Sequence, residues 1–228
     1  MVESTGRVVV ITGASGKLGG VVAARFAADG ERLALIARSA EEVEALAAAL
    51  PGGRDRHLGL AVDLGSADAT KAASATIRER LGPAGVLLQL VGGYAGGTPF
   101  VDGTDDEWTH LLDLNLWSTI HAIRAFLPDI GATPNGRIVT VSTYVAAAPT
   151  PKHAAYAASK AAVEALTTSV ARDLAGTTAT ANVVVLRAIG NEKPTEQRPE
   201  EIAATMAWLC SREAGTVNGQ RIPLIGRA

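Results

Sequence analysis

Short β-branched runs alternate with Ala- and Leu-rich amphipathic stretches along this whole chain, and that alternation leaves few folds open. Arg7–Thr12 (RVVVIT) is apolar at nearly every position, so it predicts a strand buried on both faces. Further strands are expected at Arg32–Ala37, His57–Val62, Gly85–Val91, Gly136–Ser142, Ala181–Leu186 and Gln220–Ile225. Helical patterns lie between them, at Gly16–Asp29, Ser39–Leu50, Ser66–Leu81, Thr104–Leu127, His153–Ala175 and Pro199–Ser211. Ser39-Ala-Glu-Glu42 and Thr104-Asp-Asp-Glu107 are capping boxes, and Pro199 suits a first helical turn. Strands without a polar face need helices on both sides, and right-handed crossovers then wind the sheet in both directions. The expected fold is α/β, one domain over residues 1–228 built on a doubly wound parallel sheet of about seven strands.

Charge and cysteine usage exclude several function classes. The 228 residues carry 21 Lys and Arg against 23 Asp and Glu, a net charge of −2, which argues against phosphate-steered nucleic-acid binding. The lone cysteine, Cys210, cannot form an internal disulfide and suits a reducing cytoplasm. No apolar run is long enough to span a bilayer, and Met1–Arg7 carries Glu3, unlike a secretory signal. A cytoplasmic protein with a small-molecule partner, no nucleic-acid or membrane partner and no metal site is expected.

The first strand–helix junction reads Thr12-Gly13-Ala14-Ser15-Gly16-Lys17-Leu18-Gly19. A dinucleotide pyrophosphate needs close backbone approach and N–H groups at a helix N-terminus, and glycines at this junction provide both. The bland alternative is a tight turn. An NAD site usually places an acid at the end of the second strand; here the residues are Arg38 and Ser39. Arg38 can fork onto a 2′-phosphate, and Lys17 adds a second cation. NADP(H) is therefore expected over NAD(H), which stays possible. Asp63 and Leu64, after the third strand, are candidates to bracket the adenine.

Tyr156 and Lys160 stand four residues apart on one helix face. An ammonium about 5 Å from a phenol, at an effective dielectric near 20, favours phenolate by about 3 kcal/mol, or roughly two pKa units. Lys160 is thus expected to bring Tyr156 toward the working range of a proton donor. Ser142 ends the fifth strand at the carboxyl edge, where its hydroxyl can hold a carbonyl oxygen; a strand-end cap is the alternative. Asn115 lies on an apolar helical stripe and needs a partner, catalytic or structural.

Taken together, Thr12-Gly13…Gly19, Asp63, Leu114-Asn115-Leu116, Ser142, Tyr156-Ala-Ala-Ser-Lys160 and Val217-Asn218-Gly219-Gln220-Arg221-Ile222-Pro223 resemble the short-chain dehydrogenase/reductase family over essentially the whole chain. The resemblance implies a Rossmann-type sheet, an NADPH-dependent reduction of a ketone, aldehyde or C=N group, and a catalytic set of Asn115, Ser142, Tyr156 and Lys160. In it Asn115 holds a relay water, Ser142 orients substrate, Tyr156 is the acid and base, and Lys160 lowers its pKa and meets the nicotinamide ribose. Cofactor contacts are expected from Gly13, Ser15, Gly16, Lys17, Leu18, Gly19, Arg38, Ser39, Asp63, Leu64, Gly92, Tyr156, Lys160 and Ile189. Tyr94, Thr143, Tyr144 and Val145 are the candidates for lining the substrate pocket. The resemblance also implies a homodimer or homotetramer through helices 106–127 and 153–175, with Ala154, Ala157, Ala161 and Ala162 allowing close approach.

Several positions depart from that pattern. The middle glycine comes one place early, with Lys17 in its slot. The usual Asn-Asn-Ala-Gly is Gln89-Leu90-Val91-Gly92, the usual Pro-Gly after the sixth strand is Arg187-Ala188, and Glu192 stands where a threonine is usual. The substrate loop shrinks to about Gly190–Arg198, which predicts a wider, wetter pocket. Gly92–Gly97 looks like the matching loop of dihydropteridine reductases, where Tyr94 would stack on a flat ring. A non-enzymatic NAD(P)-binding sensor on the same scaffold is the alternative from another function class.

Overall fold

A computed structural model describes residues 6–226 of the chain. Residues 1–5, on which the expectation of no secretory signal partly rests, lie outside the described residues. Seven strands, β1 (Val8–Thr12), β2 (Arg32–Ala37), β3 (Leu58–Ala61), β4 (Ala84–Gln89), β5 (Arg137–Thr143), β6 (Thr180–Leu186) and β7 (Arg221–Leu224), form one sheet in the order β3-β2-β1-β4-β5-β6-β7. Every neighbouring pair is parallel. The winding direction reverses between β1 and β4. Loops leaving those two strands part at the carboxyl edge, the place where open α/β sheets hold their ligands.

Both faces of the sheet are covered because the strands have no polar side to offer water. Val9 and Ile11 of β1 pack under α1 (Gly19–Ala28), α2 (Ala40–Ala49) and α8 (Pro199–Leu209), with Phe26, Val43 and Met206. Val8 and Val10 point the other way, under α4 (Ala67–Leu81), α6 (Ser118–Ala132) and α7 (Ala154–Asp173), with Ile77, Phe126 and Val170. Both capping boxes form: the Ser39 and Thr104 hydroxyls accept the N–H groups of Glu42 and Glu107. A single turn, α3 (Gly53–Arg56), follows Gly52, whose φ is 91°.

Two helices differ from their expected extents. The first begins at Gly19, not Gly16, because residues 13–18 form tight turns: Gly16 and Gly19 donate to the carbonyls of Gly13 and Gly16. A Cβ on Gly19 would sit 2.3 Å from the Gly13 oxygen, so only glycine lets the helix start there. The pattern over Thr104–Leu127 is not one regular helix. It comprises α5 (Asp105–Leu111), a π turn over Leu112–Trp117, and α6, which runs on through Pro128 to Ala132. Asp129 and Ile130 hold that extension: the first accepts the Ala84 N–H and the second is buried.

The π turn has a local cause. Wider i→i+5 pairing leaves carbonyls without their usual amide partners. Hydroxyls four residues on take that place: Ser118 donates to the Leu114 carbonyl at 2.6 Å, and Thr119 to that of Asn115 at 2.7 Å. The Asn115 side chain is wholly buried, where it ties the loop after β4 to α7.

Candidate active site

Two cavities of about 610 and 680 Å³ open along the carboxyl edge and share Leu90 and Gly92 as a common wall. Gly13, Ser15, Gly16, Arg38, Ser39, Asp63, Leu64 and Gly92 line the first. Lys17, Tyr94, Ser142, Thr143, Tyr144, Val145, Tyr156, Lys160 and Ile189 line the second, again with Gly92. Leu18 and Gly19 line neither; they are buried and shape the loop from behind. The trough thus runs from β2, past the glycine turn and the start of α1, to Tyr156. Gly13 has a φ of +65° and lies so close to Val91 that a side chain would crowd the backbone there. These residues fit a nicotinamide dinucleotide laid across the switch point, with its pyrophosphate over the glycine turn.

Loops after β1 and β4 are stapled together. The Thr12 hydroxyl donates to Gln89 Oε1 at 2.8 Å and accepts the N–H groups of Leu90 and Val91. Gln89, buried, reaches on to Thr119 and so steadies the sheet in place of the family's usual asparagines.

Lys17 and Arg38 line different cavities, Lys17 the one with Tyr156 and Arg38 the other. Nor is the Arg38 end free of acids: Glu42, one turn into α2, lines the same cavity, with Asp63 and Asp113. The sequence reading looked for an acid directly after β2 and so passed over Glu42. Asp63 also accepts the Gly65 N–H, a turn-forming contact.

Ser142 lines the Tyr156 cavity beside Thr143, but its hydroxyl is engaged by a carboxylate of α7. Thr143 is the hydroxyl that acts on the Tyr156 phenol, pulling its pKa down. Ser142 points toward α7, where it donates to Glu164 Oε1 at 2.7 Å, and Arg221 pairs with the same carboxylate. Glu164 lies on α7 four residues beyond Lys160, a contact that sequence spacing alone does not connect to Ser142.

Burial dominates the electrostatics. It pushes the Tyr156 phenol above its ordinary 10; the Thr143 bond pulls it down by less, and the neighbouring Tyr94 adds to the rise. The expected lowering by Lys160 is therefore not seen in the free protein. Lys160 is itself desolvated, with its ammonium lowered to about 8, and Nζ donates to the Val141 carbonyl at 3.1 Å. A Cβ on Gly92 would lie 2.7 Å from that Nζ and 2.8 Å from Asn115 Oδ1. Asn115 donates to the Gly93 carbonyl and to Ser159, and accepts the Gly93 N–H, so its amide fixes the pocket wall.

His153 is a pocket residue that the sequence reading missed. Its Nδ1 lies 2.8 Å from the Pro151 carbonyl, and its Nε2 shares a hydrogen bond of 2.8 Å with the Tyr94 hydroxyl. The Tyr94 ring stands edge-on to Tyr156, with centroids 5.1 Å apart. Arg187 and Ala188 also line this cavity. The loop after them closes on itself: Glu196 accepts the N–H groups of Glu192 and Lys193, and Gln197 those of Arg187 and Ala188.

Residues 7–201 match the family described as short chain dehydrogenase. The chain belongs to that family. It is 29% identical over 240 residues to the D-threitol dehydrogenase of Mycolicibacterium smegmatis, covering 97% of this chain and 92% of that one. Among solved structures, a short-chain dehydrogenase/reductase from Brucella melitensis superposes with a TM-score of 0.87 at 30% identity, over 96% of this chain and 94% of that one. A blue fluorescent protein from a metagenomic library, solved with NADPH, gives 0.87 at 27% identity over 97% of each chain. This short-chain dehydrogenase is an oxidoreductase whose cleft suits a nicotinamide cofactor.

Two predictions follow from the site's geometry. Thr143→Val is expected to lower turnover at least 10-fold, and Ser142→Ala by less than about 3-fold; steady-state assays giving the reverse order would make Ser142 the acting hydroxyl. Lys160 has a folded pKa below its unfolded one, so its burial weakens the fold fully below about pH 8 and less and less up to pH 10.5. Lys160→Met is therefore expected to be more stable than wild type at pH 7 by up to roughly 3 kcal/mol, a gap that closes by pH 10.5 in denaturant titrations. A gap independent of pH would contradict the assignment.

Proposed function

We propose that this short-chain dehydrogenase reduces a carbonyl group (ketone or aldehyde, or a related C=N) to the alcohol or amine, with NADP(H) preferred and NAD(H) accepted. The carrying observation is that the Tyr156 and Thr143 hydroxyls face one cavity with the buried Lys160, at the end of a glycine-lined trough. Arg38 alone supports the 2′-phosphate, since Lys17 lies elsewhere and Glu42 and Asp63 stand nearby. The whole chain acts as one dinucleotide-binding and catalytic unit.

Gly13, Ser15 and Gly16 would hold the pyrophosphate, Arg38 and Ser39 the adenosine ribose, Asp63 and Leu64 the adenine, and Lys160, Gly92 and Ile189 the nicotinamide end. A bound nicotinamide supplies the hydride that reduces the substrate carbon. The protein supplies the proton and the geometry. Tyr156, whose ordinary value of 10 burial raises further, is a protonated acid at neutral pH. Its O–H bond breaks as the substrate oxygen gains that proton, while Thr143 orients the same oxygen. Lys160, charged below about pH 8, stabilises the phenolate left behind. Asn115 offers a relay water only the second lone pair of its main-chain carbonyl, because its amide is committed. Tyr94, Tyr144 and Val145 line the substrate side.

Subunits would meet through helices 106–127 and 153–175. Ala154 is exposed and Ala161 and Ala162 half-buried there, whereas Ala157 packs inside its own chain. A cytoplasmic setting fits Cys210, a buried thiol whose pKa burial pushes up to about 12. Among the described residues no helix is long and apolar enough to cross a membrane. The dinucleotide-sensor reading draws on the self-bonded loop over 190–198, which forms no helical lid.

Tyr156→Phe is expected to lose about 10²–10⁴-fold in carbonyl reduction while binding NADPH as wild type does. Unchanged turnover would overturn the assignment, and a wild type that binds NADPH but reduces no carbonyl compound would favour the sensor. Fluorescence titration is expected to show tighter binding of NADPH than NADH, with Arg38→Ala removing the difference; equal affinities in wild type would refute the cofactor preference.

A further inference from the structure

The cavity around Tyr156 carries charge of one sign. Lys17, Lys160 and Arg187 line it with His153, and none of its lining residues is Asp or Glu. The cavity at the other end of the trough contrasts with it, having three carboxylates for its one arginine. Two of the three cations already have work. Lys160 is bonded to Val141 at the base of the site, and Lys17 belongs to the glycine loop, where the dinucleotide's pyrophosphate fits. Arg187 remains.

Arg187 is the first residue after β6, and its main-chain N–H is held by Gln197 Oε1 at 2.9 Å. Its guanidinium carbon stands 5.6 Å from the centre of the Tyr144 ring. That face-on contact favours the cation and orients its planar fork without using up its N–H donors. No ion pair is formed by Arg187 among the described residues. In the loop that follows, Glu196 faces inward to the N–H groups of Glu192 and Lys193.

An oriented guanidinium in an acid-free cavity is a receptor for a paired-oxygen anion. We propose that Arg187 determines substrate choice by binding a carboxylate or phosphate carried by the carbonyl substrate. This inference rests on the carbonyl-reductase reading above. Tyr144 holds the fork in place, and the positive wall raises the local concentration of anionic substrates. An anion at Arg187 has two possible sources, the substrate and the cofactor's own phosphates, and the test separates them.

Pyruvate, acetoacetate and 4-oxopentanoate, each paired with its methyl ester, vary the distance from carbonyl to carboxylate. Wild type is expected to favour the acid of at least one pair by about 10-fold or more in kcat/KM. Arg187→Gln, at an exposed position, is expected to raise KM for that acid about 10- to 100-fold, leaving the ester's constants and the NADPH Kd unchanged. Equal kcat/KM for acid and ester in every pair would overturn the proposal while leaving carbonyl reduction intact. So would an Arg187→Gln protein that binds NADPH about 10-fold more weakly yet keeps the acid-to-ester ratio, for the anion would then be the cofactor's. If no pair is turned over, calorimetric titration of the three acids into the NADP+-saturated proteins decides: tighter binding to wild type than to Arg187→Gln supports the proposal, and equal or absent binding refutes it.

Discussion

Keeping one ammonium out of water is the constraint around which the site is organised. Lys160 is 6% exposed, and its ammonium donates to the Val141 carbonyl. Burial of that kind costs stability and is retained where the shifted pKa is useful. The surrounding parts explain how it is tolerated. Gly92 leaves room for Nζ that no other residue would leave. Asn115 locks the Gly93 backbone on both its polar groups, and the π turn aims Asn115 at that loop. A departure from regular helix, a residue without a side chain and a buried amide thus serve one charged group.

Desolvation also sets the division of labour between the two titrating side chains. Placed in the same dry wall, the phenol rises and the ammonium falls, so each is displaced toward its neutral form. The free protein therefore holds a protonated acid beside a cation that is still charged at neutral pH. That pair is suited to giving a proton away and stabilising what is left.

Much of the fold was legible in sequence because it follows from periodicity. Continuously apolar strands such as Arg7–Thr12 can only be interior, and the capping boxes at Ser39 and Thr104 mark helix starts by local hydrogen bonding. The errors arise where tertiary contacts override local pattern. Nothing in the apolar stripe of Leu111, Leu112 and Leu114 announces a π turn, and the loop that Asn115 holds from it lies more than twenty residues upstream. The candidate site was legible as a set of residues and less so as a geometry. Tyr156 and Lys160 share a helix face by spacing alone. Choosing Thr143 over Ser142 depended on Glu164, which engages the Ser142 hydroxyl from α7 in a contact that no spacing reveals. Likewise Arg187, His153 and Glu42 join the cleft from distant segments, and only the winding of the sheet brings them to one edge.

Lys160 itself offers the most direct test. With lysine side chains labelled at Cε, the pH titration of the Lys160 carbon signal, assigned by its loss in Lys160→Met, is expected to show a midpoint near 8 in the free protein. A midpoint at the ordinary value of about 10.4 would mean that water reaches the ammonium, contradicting a dry site built around a buried charge.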